Sequence, residues 1–297
     1  MTPAVVAEGV RKAYGDTVAL DGVDLSVAEG EVFGLIGPNG AGKTTLVRCL
    51  TGTARPDSGR VAVLGETPAG VSAERVGLLP QSFAPAARLT GRELVAYYAG
   101  LYDDARDPDA VLDDVGLDDR ATRYEALSGG QKRRVCVAAA VVNDPDVLFL
   151  DEPTTGIDPA GRRAVRRVVG RLVDRGTTVL LTTHDMAEAE TLADRVALLA
   201  AGDVAAVGTP GDLVNEYAGE RRLYVETDAD AADLTAVEAR DTDHGVVVVG
   251  VTPAEIGTVV DAIEATGANV AELTWREPGL EDVYLELTGA DVSEVVA

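Results

Sequence analysis

The stretch Gly37-Pro38-Asn39-Gly40-Ala41-Gly42-Lys43-Thr44 constrains this chain more than any other. It fits the pattern GxxxxGK[ST], a loop that wraps around phosphate. The flanks are those the pattern requires. Glu31 to Gly37 is a short apolar run that reads as a buried strand, and a helix is expected from Lys43 to Leu50. Glycines at 37, 40 and 42 let the backbone turn its N–H groups, with that of Asn39, inward onto an anion. The helix that follows adds its positive N-terminal end. Lys43 can reach β and γ phosphates, the Thr44 hydroxyl can ligate Mg²⁺, and Thr45 stands beside them as a further nucleotide contact.

A second apolar run, Val147 to Leu150, delivers Asp151 to the carboxyl end of a strand, where ligand sites of α/β sheets lie. Asp151 is placed to hold a Mg²⁺ water shell, and Glu152 to polarise an attacking water. Between the two runs, residues 89–116 have a helical pattern and a helix follows Ser128. Beyond them come a helix at 160–175, a strand at 178–182 and a helix at 186–194. Strands alternating with helices indicate a parallel α/β sheet. Gly208-Thr209-Pro210-Gly211 marks a turn where this pattern ends. After it, strands at 223–227, 246–251 and 270–275 and helices at 253–266 and 280–287 suggest a small α+β unit. Two domains are expected, 1–216 and 217–297.

Leu127-Ser128-Gly129-Gly130-Gln131 resembles, letter for letter, the signature of ATP-binding-cassette (ABC) ATPases. With the phosphate loop and the Asp151 strand in their order, the likeness covers about residues 4–215. It implies a P-loop NTPase cassette: a parallel-sheet core, an antiparallel β arm and a helical subdomain. It also implies an ATPase using ATP and Mg²⁺. Lys12-Ala13-Tyr14-Gly15 resembles the loop whose aromatic ring, here Tyr14, stacks on adenine. Pro80-Gln81 resembles the loop whose glutamine senses the γ-phosphate and reaches the metal. Thr154 to Asp158 resembles the loop in which Asp158 meets the opposite subunit, and Thr183-His184-Asp185 the switch-histidine loop. The resemblance makes Glu152 the base, with His184 and Gln81 as its catalytic companions. It implies two cassettes, a homodimer or a pair, clamping two ATP. Ser128, Gly130 and Gln131 of one then face the nucleotide of the other. It further implies a separate integral membrane permease, docked on the region after Gln81. Phe83, Tyr97, Tyr98 and Tyr102 crowd there, four of 12 aromatics in the chain. The tail from Glu277 to Gly289 is similar to that of type-2 exporter ATPases.

The remaining features narrow the class. No run reaches the roughly 18 apolar residues of a membrane span, and the N-terminus does not read as a signal peptide. The expectation is a cytoplasmic protein, peripheral on the inner face of the membrane through its permease. Cys49 and Cys136 read as buried thiols. The alternative of a soluble cassette acting in nucleic-acid metabolism or translation meets three obstacles. Only 84 residues separate Lys43 from Ser128, too few for the long coiled coil of repair ATPases. The chain carries a single cassette. The formal net charge is −24, so no nucleic-acid partner is expected. The six arginines between Arg162 and Arg175 alternate with Val165, Val168, Val169 and Leu172 as in an ordinary amphipathic helix. His244 reads as a turn residue.

The 26 basic residues include only three lysines, and residues 217–297 hold 18 acidic and 4 basic residues. That balance resembles proteins of salt-accumulating, halophilic cytosols. Molar salt shortens the Debye length to about 3 Å and screens self-repulsion among the carboxylates. The melting temperature should therefore rise across a KCl series, and one that is flat or falls contradicts the halophilic reading.

Overall fold

The computed structural model describes residues 3–234, 237–242 and 244–289. The chain opens with an antiparallel hairpin of β1 (Pro3–Tyr14) and β2 (Thr17–Ala28). Then come β3 (Val32–Ile36), α1 (Lys43–Leu50) and β4 (Ser58–Val63), the last returning to pair with β1. β5 (Val76–Leu79) is followed by α2 (Gly91–Ala99), α3 (Pro108–Asp114) and α4 (Gly129–Val141). The core resumes with β6 (Val147–Asp151), α5 (Pro159–Val173), β7 (Thr178–Thr183), α6 (Met186–Leu192), β8 (Arg195–Ala200) and β9 (Asp203–Gly208). These elements build an antiparallel sheet, β2-β1-β4, and a six-stranded sheet, β5-β6-β7-β3-β8-β9. The larger sheet is parallel except for its last pair, β8 with β9.

Every residue of β3, β6 and β7 is buried, so these strands are covered on both faces and lose the alternation of a half-exposed strand; their polar residues, Asp151 and the β7 threonines, are buried too. The pleat then sorts alternate residues into two cores. Leu148 and Leu150 of β6 and Val179 and Leu181 of β7 face a cluster built with α2 to α5. Val147 and Phe149, with Phe33, Leu35 and Leu180, face a cluster built with α1 and the β1-β2-β4 sheet. Helix α4 is buried over the consecutive residues Val135 to Val141, as a helix between layers must be. The site loops all emerge where β3, β6 and β7 end.

Residues 89–116 do not form a continuous helix. Gly100 ends α2, and α3 starts afresh on Asp107, whose side chain accepts from the Ala110 N–H ahead of a proline in the first turn. The helix after Ser128 starts at Gly129 because Ser128 caps it.

A second compact unit begins at Gly211, near the start of α7 (Pro210–Tyr217). Helix α7 runs on to Tyr217, so this division lies before the expected 216/217 boundary and at the turn from Gly208 to Gly211. The unit contains β10 (Arg222–Thr227), β11 (Ala239–Thr242), β12 (Gly245–Val249), α8 (Ile256–Ala265), β13 (Val270–Arg276) and α9 (Leu280–Thr288). Its sheet is antiparallel, β11-β12-β10-β13, with Leu223, Val225, Val246 and Val248 packed on Val259 and Ile263 of α8. His244 lies in the turn before β12. The far end of the expected domain, 290–297, lies outside the described residues.

Candidate active site

The loop between β3 and α1 leaves no room for side chains at two of its glycines. A Cβ on Gly37 would sit 2.3 Å from the Leu199 carbonyl oxygen, and one on Gly42 2.4 Å from that of Ala19. Gly42 also has φ +108°, which L side chains rarely adopt. Asn39 and Gly40 are exposed at the loop's outer side. Helices α2 to α6 each start on a capping side chain: Thr90, Asp107, Ser128, Asp158 and Asp185. Helix α1 starts on Gly42 without one. Its first N–H groups, those of Lys43, Thr44 and Thr45, are therefore left for an external anion.

Lys43 is 5 % exposed. Its Nζ donates to the carbonyls of Gly37 at 2.6 Å and Pro38 at 2.9 Å, and lies 3.9 Å from Glu152 Oε1. Burial lowers its pKa against the opposing pull of Glu152 and Asp151.

The carboxylates come from the end of β6, held by its neighbour β7. The parallel register pairs Asp151 with Thr182. The Thr182 hydroxyl donates to Asp151 Oδ1 at 2.6 Å and accepts from the Glu152 N–H at 3.0 Å. Thr44 Oγ1 donates to the same Asp151 oxygen at 3.2 Å. Glu152 has φ +51°, a left-handed backbone that costs a side-chain-bearing residue about 1–2 kcal/mol. The turn buries its carboxylate among polar partners. Oε2 accepts from Thr155 Oγ1 at 2.9 Å and lies 3.3 Å from Nδ1 of the exposed His184. The structure thus brings together five expected residues: Lys43, Thr44, Asp151, Glu152 and His184. Such a group can hold phosphate oxygens on an ammonium and on backbone N–H groups. It also presents a carboxylate that can take a proton from water.

Other expected residues stand elsewhere. Tyr14 is 48 % exposed at the end of β1, with Lys12 Nζ 5.4 Å from its ring centre. Asp57 fixes that corner by accepting from Lys12 at 2.8 Å and from the Ala13 N–H at 2.7 Å. Gln81 is exposed just after β5. Ser128 and Gln131 form a reciprocal capping box at the start of α4. A Cβ on Gly130 would sit 3.3 Å from Asp158 Oδ2. Asp158 also caps α5 by accepting from the Gly161 N–H at 2.7 Å. Among the described residues, these signature side chains make no hydrogen bond to Lys43, Thr44, Asp151 or Glu152.

Three residues of the site escaped the sequence reading, and a fourth, Thr155, was read only as part of the loop after Glu152. Thr155 holds the Glu152 carboxylate, and Thr182 is a polar residue in an apolar strand, a signal that its register opposite Asp151 explains. Arg133 gave no signal apart from its charge in a largely buried helix. Glu188, 1 % exposed, accepts from the Thr154 hydroxyl and lies 3.5 Å from that of Thr183, tying the loop after Glu152 to the one holding His184.

A family profile described as "ABC transporter" matches residues 20–155. A daunorubicin resistance ATP-binding protein of Streptomyces coeruleorubidus is 42 % identical, over 97 % of this chain and 96 % of its own. The Nod factor export ATP-binding protein I of Bradyrhizobium diazoefficiens is 38 % identical over 98 % of both. A solved dimeric ATP-binding cassette in a post-hydrolysis state, bound to ADP and Pi, superposes with a TM-score of 0.63 at 26 % identity. The superposition covers 69 % of this chain and 98 % of that one. The chain belongs to the ABC transporter family, as an ATP-binding subunit with the cassette fold and ATPase activity. Among the described residues, no helix is long and apolar enough to cross a membrane.

Burial raises the pKa of Glu188 above the ordinary carboxylate range. The folded protein then holds a proton there more tightly than the unfolded chain. This contribution is greatest below the unfolded pKa and is lost as pH rises through the folded one. A Glu188→Gln amide does not titrate. Stability measured from about pH 4 to about pH 8 should therefore shift in favour of the variant, and a difference independent of pH contradicts this.

Proposed function

We propose that this chain is the motor of an exporter. Two copies close head to tail around two ATP and drive a separate integral membrane permease from the cytoplasmic face. The convergence of Lys43, Asp151, Glu152 and His184 carries the chemical part of this reading. The export part is supported by near end-to-end likeness to proteins named for drug resistance and Nod factor export. The same likeness disfavours a soluble cassette acting on nucleic acid.

In this reading ATP lays its phosphates on the backbone of Gly37 to Thr45, and Lys43 exchanges the Gly37 and Pro38 carbonyls for phosphate oxygens. Tyr14 stacks on adenine. Glu152 takes the proton of the attacking water, whose oxygen bonds to the γ-phosphorus while the bond to the ADP oxygen breaks. His184 and Gln81 contact the γ-phosphate and order the water. Thr44 and Asp151 offer hard oxygen donors 3.2 Å apart, a set that suits Mg²⁺, with Gln81 completing the protein ligands. Mg²⁺ held there would neutralise phosphate charge. Ser128, Gly130 and Gln131 face the nucleotide of the other copy, and Asp158 crosses the same junction. The permease helix docks beside Phe83, Tyr98 and Tyr102, which line a cavity of about 300 Å³ with Leu50, Val71 and Phe149. The cassette and the acidic α+β unit after it serve as separate domains.

Glu152→Gln should bind ATP and dimerise, with hydrolysis lowered about 10²- to 10⁴-fold. Ser128→Arg should bind ATP as a monomer yet neither dimerise nor turn over. Hydrolysis at the parent rate by Glu152→Gln sinks the base assignment. Loss of monomer binding by Ser128→Arg would place the signature in its own chain's site.

A further inference from the structure

One arginine outside every expected motif is bonded to the backbone beneath the carboxylates. Arg133 lies in the first turns of α4, on the helix that Ser128 caps. Its Nη2 donates to the carbonyl of Asp151 at 2.8 Å and to that of Glu152 at 2.5 Å. Its Nε donates to the Pro153 carbonyl at 3.0 Å, and Nη1 lies 3.5 Å from that of Pro80, the residue before Gln81. A single guanidinium therefore spans three consecutive carbonyls of the carboxylate turn and one of the Gln81 loop.

Three consecutive carbonyls do not converge in an extended strand, where successive peptides point to opposite sides. They converge here because Glu152 takes its left-handed φ of +51°. The same turn swings the Glu152 side chain back toward Lys43 and His184. The guanidinium fork presents five donors in fixed geometry, so it suits a bent row of carbonyls better than an ammonium does.

We propose that Arg133 is a positioning residue for ATP hydrolysis: its guanidinium holds the backbone turn that aims the Glu152 carboxylate, and fixes that turn to the helix bearing Ser128. The inference rests on Glu152 acting as the base. Arg133 bonds to backbone carbonyls and not to the Glu152 carboxylate, so it acts through the turn. Its loss should lower turnover and spare ATP binding, because the loop from Gly37 to Thr45 makes no bond to it.

The test compares full-length Arg133→Met, Arg133→Lys and Arg133→Gln with the parent and Glu152→Gln, reading kcat, KM and the Kd for ATP. Arg133→Met should lose about ten- to a hundredfold in kcat, the scale on which a small misplacement acts. Its Kd should stay within about twofold. Arg133→Lys keeps a cation that can serve some of the carbonyls and should recover part of kcat, whereas Arg133→Gln should not. A parental kcat in Arg133→Met, or a Kd that weakens in step with kcat, overturns the proposal. If Arg133→Met does not fold, Lys and Gln decide: equal kcat in those two overturns it. An inactive Glu152→Gln beside a fully active Arg133→Met removes this proposal alone. A fully active Glu152→Gln removes the base assignment and this proposal together.

Discussion

A buried ammonium must find its charge partners inside the protein or draw them in from outside. Lys43 is enclosed with two loop carbonyls and with carboxylates that a different strand supplies. Such a pair loses its hydration, and unless the geometry is good the attraction does not repay that loss. The surrounding architecture supplies the geometry. β3 sets the loop, β6 sets Asp151 and Glu152, and β7, lying between those strands in the sheet, carries Thr182 and His184 to the same end. An anion entering the loop relieves the desolvated cation. Nucleotide phosphate answers that need, and likeness to nucleotide-binding cassettes agrees with it.

The carboxylate end of β6 shows how a strand is made to stop at a useful angle. Thr182 both donates to Asp151 and accepts from the next N–H, so its hydroxyl serves as a pivot. Past it, Glu152 turns left-handed, and Thr155 receives the redirected carboxylate. Local strain of this kind persists only where the surroundings over-determine it. Here they do so from three sides: the β7 threonine, the loop after the turn and the α4 guanidinium. The buried Glu188 extends the same framework to the loop after His184.

Much of this was legible because it rests on short-range chemistry. A glycine loop before a lysine and an apolar strand ending in two acids each name their local geometry, and the run from Leu127 to Gln131 matches a known signature. The apolar runs of β3 and of β6 up to Leu150 identified the parallel core, since strands covered on both faces lose alternation. What stayed hidden depends on register or reach. Thr182 matters only once β7 is slid against β6 until it meets Asp151. Arg133 looks like any helix cation until its long side chain reaches a turn some 20 residues away in sequence. The helical pattern of residues 89–116 was legible, but it did not show the break that Gly100 and Asp107-Pro108 make in it. The turn at Gly208 to Gly211 was legible, but the domain boundary was set at 216/217, after the helix that belongs with the second unit.

The site depends on Lys43 being a cation held for phosphate. Calorimetric titration of ATP into the parent and into Lys43→Met tests this most directly. The parent should take up one ATP per chain. Lys43→Met should bind about ten- to a hundredfold more weakly, as expected for removing a charged hydrogen-bond donor. Equal affinity in the two proteins would contradict the account.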